Sequence, residues 1–109
     1  MDHQLIDELW KEHQSTAFPK ACRGKDVNGI DLVMLDADVA GCVDTFFDRG
    51  NLNLFQTAIL GLCYRNLSCV MPFLDDEGKA YYHRLEHLAE LVLKAVAVRN
   101  EQDHEASAP

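Results

Sequence analysis

Hydrophobic positions are densest over residues 54–74, LFQTAILGLCYRNLSCVMPFL, a run that is apolar almost all the way round at about 100° per residue. Thr57, Gly61, Arg65 and Ser68 form its one narrow polar stripe. A helix so patterned is expected at the centre of the fold, with Ile59 and Leu62 buried. Asn53 with Gln56 is a capping box at its start. Pro72 lacks an N–H and crowds the carbonyl of Ser68, so the helix should kink or end there. Asn66 falls inside the apolar arc, near Phe55, Leu62 and Cys69, and its amide therefore calls for an internal partner. The run is long enough to span a bilayer. Gln56, Arg65 and Asn66 interrupt it, however, and the other helices offer apolar faces to cover it, so no membrane span is expected.

Three further helical patterns flank this segment. Asp2 is a candidate cap for a first helix reaching Gln14, whose narrow stripe is Leu5, Ile6, Leu9 and Trp10. Asp31 can cap a second helix over residues 32–48 with core positions Leu32, Leu35, Val39, Cys42, Val43 and Phe46, extended by Phe47 and stopped by Gly50. A last helix is predicted over residues 76–99, with Asp75, Asp76 and Glu77 at its positive end and Tyr81, Leu85, Leu88, Ala89, Val92 and Val96 inward. Between the first two helices, over residues 17–31, the period dissolves among Pro19, Arg23-Gly24 and Asn28-Gly29. A short hairpin is one way to order that stretch, with Val27 and Ile30 turned to the core. The expected fold is an all-α small helical bundle: three main helices, a short N-terminal helix and a long irregular loop between helices one and two. Residues 1–100 form one helical domain, and residues 101–109, EQDHEASAP, form a mobile acidic tail.

Composition narrows the partners. Eighteen acidic against ten basic side chains give a formal charge of −8, which argues against nucleic acid and fits either acidity that serves solubility alone or a basic protein partner. Cys42, Cys63 and Cys69 lie in apolar stretches and read as small core residues, whereas Cys22 sits in a polar loop and reads as the exposed thiol. Without paired ligand spacing the four do not make a zinc site. The start of the chain, MDHQLIDELW, lacks the pattern of a signal peptide, so a cytoplasmic protein is expected.

Candidate chemistry is sparse. Asp36 falls inside the apolar face of the second helix, and antiparallel packing of consecutive helices would bring it to Asn66, making a buried polar pocket joined by Tyr64, Tyr81 or Tyr82. Two simpler readings stand beside it: an internal hydrogen bond that fixes register, or a later helix start with Asp36 as its cap. Lys20, Arg23 and Lys25 are the basic patch of an acidic chain and a candidate contact for an anion or acidic group. His83 and His87, one turn apart with Glu90 beside them, are the candidate metal ligands, although HRLEH lacks the general-base Glu of a metalloprotease. Ala37 and Gly41 make a small-residue patch suited to close approach across a dimer. There is no phosphate loop, nucleophile elbow or carboxylate dyad, and no cofactor is called for. The expectation is a small acidic cytoplasmic interaction or regulatory module, homodimeric; the alternative is a small-molecule or metal-binding protein, an enzyme included.

Overall fold

The computed structural model describes residues 3–107, with side chains over residues 3–101; Asp2, the expected first cap, and the last two residues of the tail lie outside the described residues. Four helices pack together: α1 (His3–Ser15), α2 (Leu32–Arg49), α3 (Leu54–Val70) and α4 (Asp76–Ser107). Their ends follow from local chemistry. Asp31 accepts from the Met34 N–H at 3.0 Å and starts α2, so Asp36 is not a cap but lies well inside the helix. Gly50, at φ 76°, closes α2 in the left-handed region and returns its N–H to the Phe46 carbonyl. Asn53 and Gln56 form the reciprocal capping box at the start of α3. That helix ends at Val70, and Met71–Phe73 tighten into a 3₁₀ turn around Pro72.

The connection between α1 and α2 is ordered rather than irregular. A 3₁₀ turn, Lys20–Cys22, leads into a two-stranded antiparallel hairpin, β1 (Asp26–Val27) and β2 (Ile30–Asp31). Asn28 and Gly29, at φ 51° and 84°, make its tight turn, a pair of positive φ values for which Asn-Gly is the favoured sequence. Val27 is buried and Ile30 half-buried, which fastens the hairpin to the bundle. At the other end of the chain α4 runs past the expected stop near Arg99, and its helical backbone continues through the first residues of the tail to Ser107.

The centre of the fold is α4, not α3. Tyr81, Tyr82, Leu85, Leu88, Ala89, Val92, Ala95 and Val96 are all buried on it, and α1, α2 and α3 each pack against it. On α3 only Leu60, Cys63, Leu67 and Val70 are buried; Ile59 is half-buried and Leu62 is 57% exposed. The physical reason is the number of elements available. Since α1 packs on α4, no helix among the described residues covers the outward face of α3. Cys69, expected in the core, is exposed there, while Cys22 is buried between the 3₁₀ turn and Gly78 of α4. Phe47 likewise stays 39% exposed. No helix among the described residues is long and apolar enough to cross a membrane.

Candidate functional site

Asp36 is joined to α1 and α4. On α1 the apolar stripe continues one turn past Trp10 to His13, which is buried at 6% exposure, and its Nε2 lies 3.0 Å from Asp36 Oδ1. Tyr81 on α4 donates its hydroxyl to the other oxygen, Oδ2, at 2.9 Å. Both carboxylate oxygens are thus engaged, and the side chain retains 20% exposure. Burial, reinforced by the hydrogen bond to Asp36, pushes the Tyr81 hydroxyl well above the usual phenol range, so it remains a donor at any ordinary pH. Around the pair, the Trp10 ring stacks on His13 with centroids 6.0 Å apart, Tyr81 lies 4.6 Å from His13, and Phe18 meets Tyr81 edge-on. The Arg84 guanidinium sits 6.0 Å from the Tyr81 ring centroid. Nδ1 of His13 is buried with no hydrogen-bond partner. A cleft of about 230 Å³ beside this cluster is lined by Tyr81, Thr16 and Arg84 but not by His13 or Asp36. This arrangement ties three helices together, with both carboxylate oxygens and the imidazole Nε2 engaged and neither residue lining the cleft beside them.

The five residues expected to form one polar pocket are therefore distributed over several places. Asp36 and Tyr81 meet. Tyr82, fully buried, donates its hydroxyl to the Leu32 carbonyl and pins α4 to the first turn of α2. Tyr64 reaches Glu90 at 3.4 Å on the far side of α3, and the Glu90 charge holds its hydroxyl above the usual range. Asn66 does not approach Asp36: it is half-buried, makes no hydrogen bond among the described residues, and lines a separate cleft between α2 and α3. The two helices do pack on each other, but Asp36 meets α1 and α4 whereas Asn66 borders the α2–α3 cleft.

The other candidates stay apart. His83, Glu86, His87 and Glu90 line a shallow cleft of about 240 Å³ on α4. Glu90 is held by Lys94 at 2.9 Å, whose hydrogen bond and charge keep its carboxyl below the usual range, and Glu86 accepts from Ser68 at 2.9 Å. Among the described residues no three His, Cys, Asp or Glu side chains are grouped as a metal site requires, so the proposed ligands His83, His87 and Glu90 do not assemble one. Lys20, Arg23 and Lys25 are all exposed, and the Lys20 backbone N–H donates to Glu77 at 3.3 Å. Ala37 and Gly41 are exposed, and a side chain added at Gly41 would meet open space, so no contact inside the chain requires their small size.

What the molecule does present is an apolar helix face. Leu54 is 88% exposed, Phe55 74%, and Leu62 and Phe73 each 57%. Phe55, Ile59, Leu62, Asn66, Cys69 and Phe73 succeed one another at alternating spacings of four and three residues, so they form one stripe along α3 and into the 3₁₀ turn that follows. Beside the stripe runs the α2–α3 cleft, about 420 Å³, with Ile30, Met34, Leu35 and Asp38 on one wall and Ile59, Leu62, Cys63 and Asn66 on the other. Met34, 56% exposed, adds to the same surface. Comparison of the chain with protein-family models, with curated proteins and with solved structures gives no match.

Proposed function

We propose that this protein is a helical docking module whose working surface is the outward face of α3 with the α2–α3 cleft beside it, and that this surface receives the apolar face of another helix. The observation that carries the reading is the exposure of Leu54, Phe55 and Leu62 on α3 and of Phe73 in the 3₁₀ turn that follows it. Single exposed hydrophobics are ordinary on protein surfaces, but a contiguous row of large ones is the usual sign of an interaction site. Shape argues for a helix as the occupant. From Phe55 to Cys69 the stripe is about 21 Å long at the rise of an α-helix, an extended strip rather than the enclosed cavity that holds a small molecule. The four cysteines are unpaired, which suits a reducing compartment and a cytoplasmic site of action.

The test is a titration of the isotopically labelled protein with an amphipathic host peptide of leucines and lysines at heptad spacing. Amide shifts confined to Phe55, Ile59, Leu62, Cys69 and Met34, and abolished by Leu62→Glu, are the expected result. Shifts centred on another face, or none, would remove α3 from the proposal.

A further inference from the structure

We infer that the helix received by α3 is α3 of a second copy, paired in parallel about a two-fold axis; this rests on the docking reading above and names its occupant. The stripe has the 4-3-4-3 spacing of a heptad seam, in which Ile59 and Asn66 take the a positions and Phe55, Leu62 and Cys69 the d positions, with Phe73 following in the 3₁₀ turn. A β-branched residue at a followed by leucine at d, Ile59 and Leu62, is the combination that favours two parallel strands. Asn66 then falls at an a position, where two copies of an asparagine face one another across the axis and hydrogen-bond, fixing register and number of strands. That accounts for an amide that is half-buried and has no partner among the described residues. Short helices pair poorly because they must first fold; α3 is already ordered by its capping box and by α2 and α4.

Charge selects this occupant and this orientation. The net charge of −8 opposes self-association in general, yet residues 54–74 contain one charged side chain, Arg65, and no acid. A basic partner would find no acid on the stripe itself. Arg65 lies on the flank of the stripe away from α2, and Asp38 lies on the α2 flank, close enough to Cys63 that its charge helps raise that thiol. Neither Arg65 nor Asp38 makes an ion pair among the described residues. A two-fold axis parallel to the helices sets the free flank of one copy against the α2 flank of the other, so Arg65 meets the second copy's Asp38 at nearly the same height, twice. An antiparallel pair would instead put Arg65 beside Arg65 and Asp38 beside Asp38. The area is sufficient. With about 200 Å² for a large side chain, the exposed fractions of Phe55, Leu62, Phe73 and Met34 offer about 490 Å² per copy, the size of a weak, reversible interface.

The experiment is sedimentation of the full chain from nanomolar to high-micromolar concentration, joined to oxidation by diamide, which takes up the two electrons and two protons released as Cys69 thiols of two copies form a disulfide. A monomer–dimer equilibrium in the micromolar range is expected, weakened about tenfold or more by Leu62→Glu or Phe55→Glu, both at exposed positions where circular dichroism should show an intact fold. Arg65→Asp and Asp38→Arg should each weaken the dimer and together restore it. Rapid covalent dimer formation, lost in Cys69→Ser and slowed by Leu62→Glu, marks the parallel register, since d positions of parallel helices approach within disulfide reach and those of an antiparallel pair do not. A dimer indifferent to Leu62→Glu, or one that forms no Cys69 cross-link, overturns the inference. So does a chain that stays monomeric throughout; if that monomer still takes the host peptide on α3 the docking reading survives, and if it does not both fall.

Discussion

His13 Nε2 lies 3.0 Å from Asp36 Oδ1, and this one contact joins the end of α1 to the interior of α2, 23 residues further along the chain. With Tyr81 on the second carboxylate oxygen, three helices meet at a single side chain. Truncating that side chain leaves a buried imidazole nitrogen and a buried hydroxyl without their partner, a larger loss than the bond itself is worth.

Asp36→Ala should therefore cost about 3 kcal/mol in denaturant unfolding, with α1 the first element to lose hydrogen-exchange protection. Asp36→Asn keeps the shape and one acceptor for Tyr81 and should cost about 1 to 2 kcal/mol. An alanine variant as stable as the parent would show that the His13 and Tyr81 contacts do not hold the bundle together.

Packing separates two leucines on the same helix. Leu60 is fully buried and Leu62 is 57% exposed, so Leu60→Ala should lose about 2 to 5 kcal/mol and Leu62→Ala no more than about 0.5 kcal/mol when measured at concentrations where the chain is monomeric. Similar losses at both sites would mean that α3 is covered on its outer face within the chain itself.

The contrast between these two leucines marks what was legible in the sequence. Caps and breakers place the ends of α2 and α3 to within a residue or two, at Asp31, Gly50, Asn53 and Pro72, because those signals act through neighbouring residues; α4, with no breaker near Arg99, runs on past its expected stop. Periodicity does not say what lies opposite a face. The near-uniform apolar surface of residues 54–74 reads alike whether its second side meets the chain's own core or a partner, so the pattern points to α3 as the centre, a place that α4 occupies. The Asp36 partners were equally long-range, but one trace was present: His13 continues the Ile6, Trp10 stripe at helical spacing, and a histidine on an apolar stripe needs a polar partner. Asn66 is a polar residue in an apolar arc, but the internal partner expected for its amide is not found among the described residues, because that part of the arc borders the open α2–α3 cleft rather than the core.

Thiol reactivity gives a direct check on the exchanged places of Cys22 and Cys69. Cys69 is exposed, whereas burial raises the thiols of Cys22, Cys42 and Cys63, the last to about 11. Near neutral pH a chromogenic disulfide reagent should modify Cys69 rapidly in the folded monomer and the other three only as the protein unfolds. Peptide mapping that finds Cys22 labelled first would overturn the burial of the 3₁₀ turn against α4.

Alkali should unfold the protein over a defined window. The Cys63 thiol rises from 9.0 to about 11, and Tyr81 and Tyr82 are pushed well above their ordinary 10.0, all chiefly by burial and with Asp36 adding its charge at both tyrosines. Each group is an acid whose neutral form the fold prefers, so between its unfolded and folded values the native state binds more protons than the unfolded chain, and stability falls as pH rises. The loss begins near pH 9 with the thiol and steepens above pH 10 as the two phenols join, each group contributing up to about 1.4 kcal/mol per pH unit. Below pH 9 these groups are neutral in both states and add no slope. Ultraviolet titration of phenolate should accordingly show Tyr81 and Tyr82 ionising together with loss of helical circular dichroism. Tyr82→Phe removes one of the groups, and although it also forfeits the hydrogen bond to Leu32, its stability should decline less steeply above pH 10 than that of the parent. Phenolate appearing in full while the helices persist would show that the two rings are reached by solvent and that α4 is not the buried centre of the bundle.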